Sequence, residues 1–382
     1  MKTLGVGVVG IGWVAMQHLT AFSRNANARI VTLCGRDEGR ARKRLDDAGL
    51  ALAGARFTTK FDDLLKSPDV DIISISTPNH LHASQAVAAA RAGKHILLEK
   101  PTGLDLKELS AIRDAVKKAR VRTIVSFELH YNPYLRFARW LREAGWLGNL
   151  RFARFQYLSR VTDWYSGWSW VKTKSSGRSH LLAAGCHAVD AMRWCTGVEP
   201  VEVSAYHTHF TKGYEWPTSI VVNAKLGPAL SERRRRESKG GKVMKHVPLA
   251  QVVSSTDFQM PYHFGVEMMG DRATLRDDYI LWNDASVDLA ALRKACPYGD
   301  VEFREDKTPT GAAAIRVVAE MPGSADVSHH PFQGEIDELI TCILEGRETH
   351  LNVHDAQKTM EFCIAADRSA DKGGKVVKLP LL

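Results

Sequence analysis

The residues GVGVVGIGWVA, at positions 5–15, decide the fold. The first five form an apolar, valine-rich run typical of a buried parallel strand, and a helix is expected from Met16 to Arg24. A GxGxxA pattern therefore joins a strand to a helix, which is the context in which this motif binds a dinucleotide. Glycines permit a tight turn and close approach of a pyrophosphate, and the helix N-terminus favours phosphate charge. We predict that this turn holds a cofactor through Gly10, Gly12, Trp13, Val14 and Ala15.

The end of the second predicted strand, at positions 29–34, bears on which dinucleotide binds. An enzyme that uses NAD commonly places an acidic residue about 20 residues past the glycines, on the ribose 2′-hydroxyl. Here that place falls on Gly35, and Arg36 follows. A guanidinium suits a 2′-phosphate, which it can bind with two hydrogen bonds. We therefore favour NADP over NAD, with Arg36 on the phosphate. In the alternative, Asp37 holds the ribose and the arginine is solvated.

Two further predicted strands end in polar segments. The strand at 70–76 leads into TPNHLH at 77–82, with a helix expected from Ser84, and the strand at 95–98 leads into Glu99-Lys100-Pro101. Strands that alternate with helices predict a parallel sheet, and ligands of such a sheet bind at the carboxyl ends of its strands. The predicted cofactor site therefore also includes Thr77, Pro78, Asn79, His82, Glu99 and Lys100.

These motifs together resemble the Gfo/Idh/MocA oxidoreductase family, which includes glucose–fructose oxidoreductase and inositol dehydrogenases. The resemblance rests on the glycine turn, STPNHLH at 76–82, EKP at 99–101 and GCHAVD at 185–190, and it extends to 330–337. It implies an α/β fold with an N-terminal Rossmann domain at 1–131 and a C-terminal domain at 132–382. The second domain would contain a large, open, mostly antiparallel sheet. One face of this sheet would cover the nicotinamide, and the other would pack in a homo-oligomer, a dimer or a tetramer.

The resemblance also implies that Lys100 and His187 are catalytic. Oxidation of an alcohol removes a hydride from carbon and a proton from the adjacent oxygen. Lys100 would orient this oxygen and His187 would be the general acid/base, since a histidine has a suitable ordinary pKa of about 6.5. The chain departs from the family pattern at Ala183, where the family usually has an aspartate. Asp190 either orients His187 or is structural, and His180 is a candidate for part of the lost polar role.

An aromatic segment, DWYSGWSWVK at 163–172, precedes the histidine. Its tryptophans suit stacking on the apolar face of a sugar ring, and its lysine could bind hydroxyls. Packing of a lid or of an interdomain contact is the alternative. The predicted substrate-binding residues are Trp170, His180, Asp190, Lys172 and Tyr157, and His130 is added to the cofactor site.

Composition narrows the classes of function. The 382 residues, 45% hydrophobic and 25% charged, suit two globular domains. No run approaches the ~20 apolar residues of a membrane span, and no signal peptide is apparent, so we expect a cytoplasmic protein without a membrane partner. Six scattered cysteines without a CxxC pair predict reduced thiols and no metal site. The net charge of +9 is concentrated in part at Arg233–Arg236, and no aromatic residue is interleaved there. A solvated or oligomer-contacting loop is therefore expected rather than a nucleic-acid partner.

Taken together, the residues and the resemblance predict an NAD(P)-dependent oxidoreductase that acts on a carbon of a sugar, a glycoside or a cyclitol. One alternative is a glycosidase that uses tightly held NAD for transient oxidation and elimination. Another is a non-catalytic regulator that senses a dinucleotide. The presence of Lys100 and His187 argues against the regulator, whereas the missing aspartate argues for it.

Overall fold

The computed structural model describes residues 3–50, 52, 54–163, 165–227, 247–283, 287–308, 310–319 and 330–382. The arginine run at 233–236 lies outside the described residues. Among the described residues, no helix combines the length and the apolar character that crossing a membrane requires.

The predicted strand–turn–helix begins a six-stranded parallel sheet with the strand order β3-β2-β1-β4-β5-β6. Its strands are β1 (Leu4–Val9), β2 (Ala28–Cys34), β3 (Arg56–Thr58), β4 (Ile72–Ile75), β5 (His95–Leu98) and β6 (Thr123–Val125). The helices between them are α1 (Trp13–Arg24), α2 (Glu38–Asp47), α3 (Phe61–Lys66), α4 (Asn79–Arg91) and α5 (Leu106–Ala119). This order confirms the predicted Rossmann-like sheet.

The register of this sheet determines what meets at its edge. Val9 pairs with Ile75, Ile75 pairs with Leu98, and Leu98 pairs with Val125. The last residues of four strands therefore lie side by side, and the segments that follow them leave the sheet at one edge. Strands buried on both faces explain why these runs are almost wholly apolar.

The second sheet has ten strands in the order β14-β15-β13-β12-β11-β7-β10-β9-β8-β16 within the described residues. It is antiparallel except between β7 and β10, which confirms the predicted mostly antiparallel sheet. Its strands are β7 (Leu150–Leu158), β8 (Pro200–Thr208), β9 (Ser219–Leu226), β10 (Leu249–Ser255), β11 (His263–Gly270), β12 (Thr274–Arg276), β13 (Tyr279–Leu281), β14 (Val301–Lys307), β15 (Ala313–Ala319) and β16 (Val377–Lys378).

Helices cover one face of this sheet. They are α6 (Pro133–Glu143), α8 (Cys186–Thr196), α9 (Leu289–Ala295) and α11 (Val353–Ala370). The short helix α7 (Trp168–Val171) precedes α8, and α10 (Phe332–Glu345) packs instead against α1, β5 and β6. Burial alternates strictly along β9, since Ile220, Val222 and Ala224 are buried whereas Val221 and Asn223 are exposed. This period of two is the pattern of a strand with one covered face and one open face.

The C-terminal segment returns to the first sheet. Val125 of β6 donates its backbone N–H to Leu351 O at 2.8 Å, and Ser126 donates its hydroxyl to Glu335 of α10 at 3.0 Å. The predicted boundary at 131/132 lies between the last strand of one sheet and the first strand of the other. The boundary itself stays a prediction, because residues beyond 330 pack on both sheets.

Two helices begin differently from the prediction. Helix α4 begins at Asn79 rather than at Ser84, so that Asn79 and His82 lie on its first turn and Pro78 is its N-cap. Helix α1 begins at Trp13 rather than at Met16, so that Trp13, Val14 and Ala15 lie on its first turn. Both changes shorten the loops around the candidate site.

Candidate active site

The glycine turn after β1 has the geometry that a dinucleotide requires. Gly10 has a φ of +85°, and a Cβ added there would lie 2.4 Å from Ser76 O. Gly12 is the N-cap of α1, and a Cβ added there would meet no atom within 4 Å. The space in front of the helix N-terminus is therefore open, and pyrophosphate oxygens could approach its backbone N–H groups. Arg44 fixes the turn by donating from Nη1 to Ile11 O at 2.7 Å.

Arg36 and Asp37, the two candidates for the ribose end of the dinucleotide, differ in their surroundings. Arg36 directly follows Gly35 at the end of β2 and is exposed. The Asp37 carboxylate caps α2 by accepting the backbone N–H of Arg40 at 2.9 Å. Asp37 is thus occupied in helix capping, whereas Arg36 can reach a ligand from the solvent.

His82 and Asn79 hold backbone segments together at the edge of the sheet. The ring nitrogens of His82 lie 2.8 Å from Pro101 O and 2.7 Å from Thr77 O. Burial lowers the pKa of this ring. A neutral ring carries one N–H and so donates to one of these two carbonyl oxygens. Whether the His82 side chain also binds the cofactor stays a prediction. The Asn79 amide donates to Ser176 O at 3.1 Å and so ties α4 to the second domain.

Lys100 lies directly after β5 and points toward the place where the family carboxylate is missing. Its Nζ donates to Ala183 O at 3.3 Å. Burial acts to lower the pKa of the ammonium, but the anionic forms of Cys186 and Tyr157, together with Glu99, outweigh burial and raise the pKa. The side chain is therefore a fixed positive charge at neutral pH.

His187 lies on the first turn of α8 among aromatic and acidic side chains. Its ring stacks on Tyr157 with centroids 5.8 Å apart and an interplanar angle of 15°. Its Nε2 lies 3.9 Å from Glu128 Oε1. His330 is also in contact with this carboxylate, through Nδ1, and its ring centroid is 5.2 Å from that of His187. The structure thus brings His187 together with a carboxylate that the sequence analysis did not select.

Glu128, His330 and Tyr262 are site residues that were missed. Glu128 closely follows β6, so the strand-end rule that selected Lys100 would also have found it. Tyr262 packs edge-on against Tyr157, with centroids 5.2 Å apart. No local pattern connects Tyr262 with Tyr157, or His330 with His187, because the paired residues come from distant parts of the chain.

The aromatic segment lies beside the site, although one of its tryptophans, Trp164, is outside the described residues. Tyr165 is close enough to Lys100 and Glu99 for their charges to act on its phenol. The ring of Trp170 meets Tyr165 edge-on, at 6.2 Å between centroids. Lys172 Nζ lies 5.6 Å above the Trp168 ring. Whether Trp170 and Lys172 bind substrate stays a prediction.

His180 is a neutral, buried member of the same region. Its Nδ1 lies 2.6 Å from Ser254 Oγ, and its ring centroid is 6.1 Å from that of Tyr157. Burial lowers the pKa of His180 to about 3. A histidine that stays neutral in this way can donate a hydrogen bond but is a poor general base at neutral pH.

Asp190 and His130 belong to one buried hydrogen-bond network, and their roles at the substrate and the cofactor stay predictions. His130 donates from Nε2 to Asp190 Oδ2 at 2.7 Å, and Thr359 donates its hydroxyl to Asp190 Oδ1 at 2.8 Å. The other ring nitrogen of His130 lies 3.0 Å from His350 Nε2. Both oxygens of Asp190 and both nitrogens of His130 are therefore engaged by protein groups. The carboxylate beside His187 is that of Glu128.

In a comparison with known proteins, both halves of the chain match domain models of one oxidoreductase family. Residues 4–127 match a family model described as an oxidoreductase family with an NAD-binding Rossmann fold. Residues 135–276 match the model of the GFO/IDH/MocA C-terminal domain.

The relatives with known names include dehydrogenases of sugars and cyclitols. The chain is 32% identical over 210 residues, 52% of each chain, to a levoglucosan dehydrogenase of Pseudarthrobacter phenanthrenivorans. It is 35% identical over 130 residues, 34% of this chain and 36% of the other, to an inositol 2-dehydrogenase/D-chiro-inositol 3-dehydrogenase of Lactiplantibacillus plantarum. The match thus spans about half the length of the first relative. A solved levoglucosan dehydrogenase in complex with NADH shares the fold over 100% of both chains, with a TM-score of 0.77 and 20% identity.

Proposed function

Because the chain belongs to the Gfo/Idh/MocA oxidoreductase family, we propose that it is an NAD(P)-dependent dehydrogenase or reductase of a sugar, glycoside or cyclitol carbon. One observation carries the proposal. The cationic Lys100 and the imidazole of His187 converge on a region lined by Tyr157 at the carboxyl edge of the first sheet. The names of the levoglucosan and inositol relatives support the class of substrate.

The residues of the chain have distinct roles in this proposal. The turn with Gly10 and Gly12 would hold the pyrophosphate of a nicotinamide dinucleotide, which supplies the hydride acceptor or donor when it is bound. Lys100 would donate a hydrogen bond to the reacting oxygen and stabilise negative charge on it. His187 would remove or return the proton of that oxygen, with Tyr157 holding the plane of the imidazole ring.

We infer that the dinucleotide is preferentially NADP(H). The exposed Arg36 follows β2 at the position where an NAD enzyme commonly places a carboxylate, and Asp37 is occupied in capping α2. The Arg36 guanidinium would attract the dianionic 2′-phosphate, and at this position the chain has no carboxylate to repel it.

We also infer that the open face of the second sheet packs in a homo-oligomer. Tyr206 is 65% exposed and pairs directly with Val221 of the neighbouring strand, which is 40% exposed. Leu249, on the next strand, is 50% exposed. Exposed apolar side chains on adjacent strands suit a protein interface better than a solvated surface.

Incubation of the full chain with a panel of sugars, glycosides and cyclitols tests the proposal, with NAD⁺ and NADP⁺ offered separately. Oxidation of a panel member with stoichiometric formation of reduced coenzyme is the expected result. Cleavage of a glycoside without net coenzyme reduction would establish the glycosidase alternative instead. Tight coenzyme binding with no turnover over the whole panel would favour the regulator.

A further inference from the structure

Three buried side chains from distant parts of the chain meet beside Lys100. They are Glu128 after β6, His187 on α8 and His330 before α10, and their residues are 2%, 2% and 7% exposed. One ligand atom from each, a carboxylate oxygen or a ring nitrogen, lies within 4.8 Å of the other two. These three ligand atoms are therefore close enough together to bind one small ion.

The chemistry of this set is that of a metal site. Two imidazoles and one carboxylate are the protein ligands of many catalytic zinc sites and of other divalent transition-metal sites that keep a position open for substrate. In tetrahedral coordination, ligand atoms held about 2.1 Å from one ion lie about 3.4 Å apart. His187 Nε2 and Glu128 Oε1, at 3.9 Å, would therefore move slightly closer together to share an ion. The ion would take the place of the hydrogen bond that now joins His330 Nδ1 to Glu128 Oε1.

The charges around the cluster favour an added cation. The carboxyl groups of Glu99 and Glu335 are buried in the same region as Glu128. His18 lies 3.3 Å from Glu99 and 3.6 Å from Glu335, and Lys100 is the fixed cation nearby. A divalent ion would offset the charge of the crowded carboxylates, although it would also meet repulsion from the Lys100 ammonium.

Aromatic packing holds both imidazoles in place. Tyr157 stacks on His187, and the His330 ring lies nearly parallel to Phe332 at 6.4 Å between centroids. Tyr262 packs against Tyr157 and also meets His330 edge-on at 6.2 Å. Ligands whose rings are fixed by their neighbours lose little freedom when they bind an ion.

We propose that Glu128, His187 and His330 bind one divalent transition-metal ion of the zinc type. The expectation of no metal site rested on cysteine spacing, and this set contains no cysteine. An open position on the ion would take a substrate oxygen, which the ion would polarise as a Lewis acid at the place where the family aspartate is missing. In the loaded protein His187 would be a ligand rather than a base.

Metal binding to the full chain tests the site without turnover. The wild-type protein is stripped with a chelator, dialysed and titrated with Zn²⁺ by calorimetry, and with Co²⁺ by its visible absorption. The expected result is one tight ion per chain. Glu128→Gln and His330→Ala should each weaken binding by more than the about 10–100-fold that outer-shell changes cause. His354→Ala, which changes an exposed histidine on α11, is the matched control and should bind like the wild type.

Each result supports or overturns the site. Coenzyme affinity and circular dichroism show whether each variant is folded, and Glu128→Asp replaces any variant that is not. The proposal is overturned if the wild type binds no Zn²⁺ at micromolar concentration, or if tight binding survives both ligand substitutions. Turnover of a sugar by the metal-free protein would overturn the metal site and support the proposed dehydrogenase activity. Stoichiometric metal binding without turnover of any sugar would support the metal site and overturn the proposed dehydrogenase activity.

Discussion

Asp190→Asn separates the two roles that the sequence left open for this aspartate. The substitution keeps the shape of the side chain and removes its charge. If Asp190 is structural, the variant loses stability but keeps the pH dependence of turnover. If Asp190 orients His187, stability changes little and the pH–rate profile shifts.

The structure gives the size of the expected loss. Asp190 accepts from His130 Nε2 at 2.7 Å and from Thr359 Oγ1 at 2.8 Å, and Arg193 Nη1 lies 3.6 Å away. An asparagine can accept only one of these two hydrogen bonds, since its amide nitrogen would face the other donor. Losing one buried hydrogen bond to a charged group costs about 1.5–3 kcal/mol.

Urea unfolding followed by tryptophan fluorescence measures this loss, and the pH dependence of kcat/KM is recorded on the same samples. Asp47→Asn is the control, since it removes the charge of an exposed i,i+4 pair with Lys43 and should cost less than about 0.5 kcal/mol. A variant of Asp190 that is as stable as the control but has a shifted pH–rate profile would refute the structural assignment.

Three further predictions follow from single contacts. Arg36→Ala should weaken NADP(H) binding by about 1.5–3 kcal/mol and leave NAD(H) little changed; equal weakening, or wild-type preference for NAD(H), would contradict it. Gly10→Ala should destabilise the fold, because its Cβ would lie 2.4 Å from Ser76 O, whereas Gly12→Ala should keep the thermal midpoint and weaken coenzyme binding. Burial raises the pKa of Asp367 from 3.8 to about 7, so the native state holds this proton to higher pH than the unfolded chain and the unfolding free energy falls as pH rises between those values. The unfolding free energy of Asp367→Asn minus that of the wild type should therefore be larger at about pH 8 than at about pH 5. If this difference does not change with pH, burial does not hold the proton on Asp367.

The first sheet could be predicted because its information is local. Each strand is an apolar run, and the residues that follow it are the ones that meet at the edge of the sheet. Gly10, Thr77 and Lys100 were found in this way. Helix α11, Val353–Ala370, was missed because it is buried on several sides, so that its sequence lacks the polar face that marks an amphipathic helix.

The composition of the candidate site was harder to predict because its contacts are long-range. The i,i+3 spacing places Asp190 one turn after His187, but the sequence cannot show that His130, from another segment, takes up its carboxylate. In the same way, the pairing of Glu128 with His330 joins residues that no local pattern connects. Sequence reasoning found the catalytic candidates through a family resemblance and missed the acidic partner that only the fold supplies.

Lys100→Met tests the central claim most directly, since it removes a charge that acts on the reacting oxygen but does not contact the glycine turn in the proposed arrangement. With a substrate identified from the panel, coenzyme dissociation constants and kcat are measured for the wild type and the variant. The account predicts unchanged coenzyme affinity and a fall in kcat of about 10²–10⁴-fold or more, the range of positioned proton-transfer and charge-stabilising groups. Near-normal turnover by a folded variant that binds coenzyme would contradict the assignment of Lys100 to the chemistry.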